Sequence, residues 1–218
     1  MATIRQYVKP QRYRSLEDID RELAAIKDGY LHCAPYKDLN DPMEGLFNSS
    51  RLLRESEEYR EIRRAIRDNK ANLGMCSFSE VHDHELMWAH YADQFAGICV
   101  AYSLSRLLKN LAKNVSFVRM YYNEMVPIVS STDEKPGHIA KMILSNKNYR
   151  WLYEREWRMF ATLGKAHYIK TSCVTRVYLG SRIESDKRSR IINEMKALKI
   201  ETSDMTIDKY SISFEPCS

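Results

Sequence analysis

Apolar residues recur along the chain with two periods, and the changes of period divide it into elements. Leu16, Ile19, Leu23 and Ile26 repeat at helical spacing. Ser15, with Asp18 three residues on, makes a capping-box-like start for that helix, and Gly29 supplies its stop. Residues 30–34 read as a short strand ending at Pro35. From Ser49 or Ser50 to about Asp68 a highly charged helix is expected, with Leu53, Tyr59, Ile62 and Ile66 as its buried stripe. A strand over 73–79, a short helix opened by Asp83 and a β-rich run over 96–102 follow. Next come a helix through Leu107, Leu108 and Leu111 and an alternating strand over 116–122. A helix around Ile139, Met142 and Ile143 leads to Trp151, and 156–163 and 173–179 read as strands. After Gly180 a helix runs through Ile191, Ile192, Met195 and Leu198, and residues 206–214 close the chain as a strand.

Strands and helices do not alternate in strict βαβ order, and no strand is a long continuous apolar run. The pattern predicts an α+β fold: one domain over residues 1–218, with a largely antiparallel or mixed sheet, open to being split, flanked by helices. A hydrophobic share of 44% beside 29% charged residues is ordinary for a globular chain. No run approaches the roughly 20 apolar residues that span a bilayer. Met1 to Tyr7 lack the basic-then-apolar pattern of a signal peptide, so a cytoplasmic protein with no membrane partner is expected. Cys33, Cys76, Cys99, Cys173 and Cys217 are odd in number and scattered, which reads as free thiols. A net charge of +5 permits an anionic ligand such as a nucleotide without demanding nucleic acid.

Four clusters spend costly residue types: Tyr13-Arg14-Ser15-Leu16, Asn40-Asp41-Pro42-Met43-Glu44, residues 86–93 around Trp88, His90 and Tyr91, and residues 151–158. In the last, a strand would set Glu154, Glu156 and Arg158 on one face and Arg155, Trp157 and Met159 on the other. Two carboxylates and an arginine suit a cleft in which a carboxylate acts on substrate, whereas a solvated edge strand would explain the same charges. His90 is by default a structural histidine. His82-x-His84 lacks the further ligands of a metal site, so no metal is expected. Asn40-Asp41-Pro42 is first of all a turn. Arg14, beside the positive end of a helix, has a physical motive to bind an anion, and a salt bridge to a core carboxylate would satisfy it equally. Phosphate-loop, Rossmann, nucleophile-elbow and H-E-x-x-H motifs are missing from the sequence.

These clusters, with Cys76-Ser77-Phe78-Ser79-Glu80, Gly97-Ile98-Cys99 and Tyr178-Leu179-Gly180, resemble an uncharacterised bacterial family known as domain of unknown function 2971. The resemblance runs over nearly the whole chain and implies kinship with abortive phage-resistance proteins, and with it a cognate partner from a neighbouring gene. A weaker resemblance is to ADP-ribosyltransferases of the arginine–serine–glutamate kind. Arg14, Ser77 with Ser79, and Glu154 with Glu156 occur in that order, although Ser77-Phe78-Ser79 stands where Ser-Thr-Ser is usual. That resemblance implies metal-independent chemistry on NAD or another nucleotide. Glu156 would be the key carboxylate, Glu154 its assistant, Arg14 and Arg158 phosphate ligands, and Trp88 or Tyr91 a stacking partner for nicotinamide. Tyr13, Asn40, Asp41, Ser77 and Ser79 complete the expected ligand-binding set. Two other classes stay open: a nuclease-like toxin using His90 and Glu156 on RNA, and a non-catalytic sensing or antitoxin-like module.

Overall fold

The structure is a computed structural model that describes residues 9–130, 135–168 and 171–217. The N-terminal heptapeptide lies outside these residues. Eight strands form the main sheet: β1 (Gln11–Arg14), β2 (Leu73–Ser79), β3 (Ile98–Tyr102), β4 (Ser116–Arg119), β5 (Glu156–Thr162), β6 (Val174–Leu179), β7 (Glu201–Asp208) and β8 (Ser211–Pro216). Their order is β8-β7-β6-β3-β1-β2-β5-β4. Neighbours are antiparallel except β6 and β7, which run parallel. The helices are α1 (Ile19–Lys27), α2 (Arg51–Glu55), α3 (Tyr59–Asn72), α4 (Glu85–Tyr91), α5 (Leu104–Asn110), α6 (Pro136–Ile143) and α7 (Ser185–Ala197), the last connecting the parallel pair. The fold is α+β with a mixed, mostly antiparallel sheet, as the pattern predicts. No helix among the described residues is long and apolar enough to cross a membrane.

Several elements differ from expectation. Tyr13 and Arg14 belong to β1, a strand in the middle of the sheet, and not to the start of a helix. Four residues that read Gln-Arg-Tyr-Arg hide any apolar alternation, which is why the strand escapes the pattern. The first helix begins at Ile19, and Asp18 is its cap, accepting from the Arg21 amide at 2.9 Å. Ser50 caps α2 as expected, but the predicted single helix breaks where the Ser56 hydroxyl donates to the Leu53 carbonyl, and α3 starts anew. The cap of α4 is His84, not Asp83. The closing strand is a hairpin, β7 and β8, turned at Lys209 with φ 55°.

Strand alternation sorts side chains to two faces. On one face Cys76, Phe78, Ile98, Val100, Met159, Val177 and Leu179 pack with Leu23 and Ile26 of α1 and Ile191 and Met195 of α7. The other face is apolar at both ends. At one end Tyr13, Cys99, Ala101, Tyr178 and Met205 lie with Met87 and Trp88 of α4. At the other, Met75 and Phe160 pack with Leu144 at the end of α6. Between these pads the register places Gln11, Ser77, Ser79, Glu156 and Arg158, so the middle of this face is polar and largely buried.

The sheet is also opened there. β1 and β2 pair only at Gln11 and Ser79. Further along β2, Met75 exchanges hydrogen bonds of 2.8 and 2.9 Å with Ala34, just past the short strand Tyr30–Cys33. The two strands have parted between these points.

Candidate functional site

A cavity of about 240 Å³ occupies this opening. Its lining comes from β1, β2, β5, the 38–44 loop, α4 and the short strand Asn146–Asn148. At one end sits a cluster of five ionisable groups. Arg158 is fully buried and all five of its N–H donors are taken. Nε donates to Glu156 Oε1 at 2.9 Å, and Nη1 to Glu44 Oε2 at 3.0 Å and the Leu144 carbonyl at 2.6 Å. Nη2 donates to Glu44 Oε1 at 2.9 Å and Glu156 Oε2 at 3.0 Å. Lys147 then fills a cage of three carboxylates. Its Nζ bonds Glu154 Oε2 and lies 3.4 Å from Glu156 Oε2 and 3.6 Å from Glu44 Oε1, with the Trp151 ring centroid at 4.8 Å.

The chain reaches this geometry by a bend. Glu154 ends a 3₁₀ turn (Tyr149–Glu154), and Glu156 opens β5. Between them Arg155 has φ 46°, a left-handed conformation that costs a non-glycine residue on the order of 1–2 kcal/mol. Glu80 holds it there, accepting from Arg155 Nε at 3.1 Å and from Trp157 Nε1 at 2.8 Å. The Ser79 hydroxyl fixes the Glu154 carbonyl at 2.7 Å. Glu154 is therefore not on the strand, yet the bend brings it to the same ammonium as Glu156.

The two carboxyls are driven apart. Burial raises that of Glu154, and the charge of Glu156 adds to this against the pull of Lys147, leaving it above the usual carboxylate range. Burial also acts on Glu156, but Arg158, Lys147 and a hydrogen bond from Ser77 outweigh it and hold it below that range. Three carboxylates against two cations leave one net negative charge in the cluster, which protonation of Glu154 cancels. Glu154 also retains acceptor capacity: its described partners are the Tyr91 hydroxyl on Oε1 and Lys147 on Oε2.

The opposite side is positive. Arg14 grips Glu22 of α1 through Nε at 2.7 Å and Nη2 at 2.6 Å, the salt bridge its position allowed for. Its Nη1 has no hydrogen-bond partner among the described residues and the side chain lines the cavity. Arg12 stands beside it, donating to the His32 carbonyl at 3.3 Å. His32 is pulled below its ordinary range, first by burial and then by Arg12, Arg14 and Arg21.

Of the residues singled out in the sequence, Tyr13, Arg14, Asn40, Asp41, Ser77, Ser79, Tyr91, Glu154, Glu156 and Arg158 line this one cavity. His90 and Trp88 do not. His90 is exposed, its ring near Tyr91 and Tyr153, so it forms no acid–base pair with Glu156. Trp88 is fully buried, donates Nε1 to the His82 carbonyl at 2.7 Å and stacks edge-on with Tyr13, which makes it core rather than a ligand platform. Arg158 has no donor left for a phosphate. Asp41 makes the expected turn, accepting from the Met43 amide at 2.9 Å. His82 stacks on Tyr178 and His84 caps α4. Sequence reasoning missed Lys147, Arg12 and the pairing role of Glu44. Lys147 sits in an unremarkable Asn-Lys-Asn stretch, with Trp151 four residues on as the one hint.

The fold and the cavity define an α+β protein with a small polar site in which charged groups converge from β1, β5, the 38–44 loop, the Tyr149–Glu154 turn and the short strand Asn146–Asn148. Residues 87–159, which include Tyr91, Lys147, Glu154, Glu156 and Arg158, match the model of a family described as protein of unknown function (DUF2971), which supports the resemblance to that family. No curated protein and no solved structure matches the chain.

Proposed function

We propose that the cavity is the active site of a nucleotide-processing enzyme that breaks a ribosyl C–N bond, as in ADP-ribosyl transfer or NAD glycohydrolysis, with Glu154 as the acting carboxylate. The observation that carries this reading is the convergence of Arg14, Ser77 with Ser79, and Glu154 with Glu156 on one cavity from three different parts of the chain. The roles differ from the simplest expectation. Glu156 is locked by Arg158 and Lys147 and serves as frame; Glu154, with a raised carboxyl and acceptor capacity to spare, is suited to take a proton. Arg14 and Arg12, rather than Arg158, are placed to hold a phosphate.

In the reaction the C–N bond to the ribose breaks and its electron pair leaves with the nicotinamide. Positive charge develops on the ribose, which the net negative cluster stabilises. Water or an acceptor attacks the anomeric carbon and gives its proton to Glu154. The cavity lies below the roughly 300–1,000 Å³ usual for whole-ligand pockets, so it takes one end of a dinucleotide while the remainder extends past the exposed Asn40. The nuclease reading loses its acid–base pair, since His90 lies outside the cavity.

Nicotinamide release from NAD, with cell lysate as acceptor, tests the proposal. Wild type should release nicotinamide, Glu154→Gln should lose at least about a hundredfold, and Glu154→Gln should remain folded. No release by folded wild-type protein, or equal release by the variant, would overturn it.

A further inference from the structure

The mild net charge of +5 conceals one concentrated patch. Helix α3 turns Tyr59, Ile62 and Ile66 inward, against Leu53, Val129 and the two isoleucines of α6. Its outer face carries Arg60, Arg63, Arg64 and Arg67, all exposed. At about 100° per residue these four fall within one arc of about 100°, and they span about 10 Å of the axis. Every i,i+3 and i,i+4 contact among them sets guanidinium beside guanidinium: Arg60 with Arg63 and Arg64, and Arg67 with the same two. Like charges at these spacings weaken a helix, whereas a face that only needs water mixes its signs. Elsewhere on the surface arginines do pair, as Arg176 does with Glu201, Arg188 with Asp204 and Arg190 with Asp20. None of the four has a salt bridge or a side-chain hydrogen bond among the described residues, although Glu61 and Asp68 flank the stripe.

We propose that this arginine stripe docks the protein on duplex DNA through the phosphate backbone, whatever the base sequence. Four clustered positive charges complement a polymer that carries one negative charge per roughly 1.7 Å of its axis. Each guanidinium fork can hold a phosphate by two parallel hydrogen bonds. An α-helix fits the major groove of B-form DNA, roughly 12 Å wide, and a stripe of this breadth lets Arg63 and Arg64 reach phosphates on either side. The deep, narrow major groove of duplex RNA shuts a helix out. Single strands are gripped by stacking on aromatic rings, and the outer arc of α3 has none, its Tyr59 being turned to the core. A bilayer needs apolar side chains to insert, and those of α3 are packed in the interior. The helix is anchored past Arg67, where the Lys70 ammonium donates to the Gly45 carbonyl at 2.6 Å and so ties α3 to the loop that supplies Glu44. DNA docking goes beyond the catalytic reading and stands without it.

Fluorescence anisotropy of a labelled DNA duplex, roughly two helical turns long, measures the contact at about 50 and about 200 mM salt. The wild-type chain should bind, and its affinity should fall about a hundredfold between the two salts, as about four neutralised phosphates require. Changing Arg60, Arg63, Arg64 and Arg67 together to Gln should weaken binding about tenfold or more at the lower salt and flatten the salt slope. A control with Gln at the exposed Lys109, Lys113, Lys196 and Lys199 loses the same four charges and should bind within about threefold of wild type. Glutamine keeps the helix propensity and relieves the repulsion, so the arginine variant should melt no lower than wild type. A lower melt would show that the protein itself holds these side chains, against the assignment. Glu154→Gln should bind DNA as wild type does, which separates this surface from the catalytic reading. No binding at the lower salt, equal loss in the two charge variants, or tighter binding to duplex RNA, single-stranded DNA or phosphatidylserine vesicles would overturn it.

Discussion

Replacing Arg158 with methionine keeps most of the buried bulk and removes the charge that organises the site. The side chain is 1% exposed and makes five hydrogen bonds of 2.6–3.0 Å, four of them to the carboxylates of Glu44 and Glu156. Deleting it leaves both acids buried with Lys147 as their remaining cation, and the cluster moves from one net negative charge to two. Breaking a buried pair by removing one partner costs about 3–5 kcal/mol. For a chain of this size each kcal/mol shifts Tm by about 2–4 °C, so the drop should be about 6–20 °C. Arg158→Lys should recover little of it, because an ammonium cannot reproduce the planar fork. Thermal melts followed by circular dichroism, with urea midpoints as a second readout, measure both variants. A shift within about 2 °C for Arg158→Met would refute the claim that this arginine is a saturated structural frame.

Other consequences follow from the same geometry. Glu154 has its folded pKa raised above the unfolded one, so it favours the fold at acid pH and that contribution is lost as pH rises through the folded pKa. Glu154→Gln should therefore gain stability relative to wild type between pH 4 and pH 7 in urea titrations, and a constant difference would contradict this. Tyr91→Phe removes a donor that lowers the Glu154 pKa, so the acid limb of any pH–rate profile should move to higher pH; an unmoved limb would detach Tyr91 from the chemistry. Gly97→Ala would place a Cβ 2.2 Å from the Arg14 carbonyl oxygen, backbone against backbone. A loss of about 3 kcal/mol or more is expected in urea unfolding, and a neutral variant would show that β1 and β3 can separate freely.

The regular elements could be read from the sequence where apolar periodicity was strong. The stretch over 73–79 matches β2, and the stripe of Leu53, Ile62 and Ile66 does face the interior, although Ser56 divides its helix. Periodicity failed where polar residues face inward. β1 is a central strand whose buried members are a glutamine and a tyrosine, and a four-residue polar segment carries no signal that separates it from a helix start. The site was partly legible, because Glu154, Glu156 and Arg158 are costly together at short spacing. Their roles were not legible. The saturation of Arg158 depends on Glu44, 114 residues away, and on the Leu144 carbonyl, and the cage around Lys147 exists only once the Arg155 bend is made. His90 and Trp88 shared a motif with Tyr91, yet a short helix turns only one side to the cavity, and Tyr91 is on it.

The central claim is most directly tested by a crystal structure of the Glu154→Gln protein grown with NAD. The ribose should lie against residue 154, with a phosphate within hydrogen-bond distance of Arg12 or Arg14. NAD bound elsewhere on the surface, or no binding at saturating concentration by a protein that melts cooperatively, would contradict it.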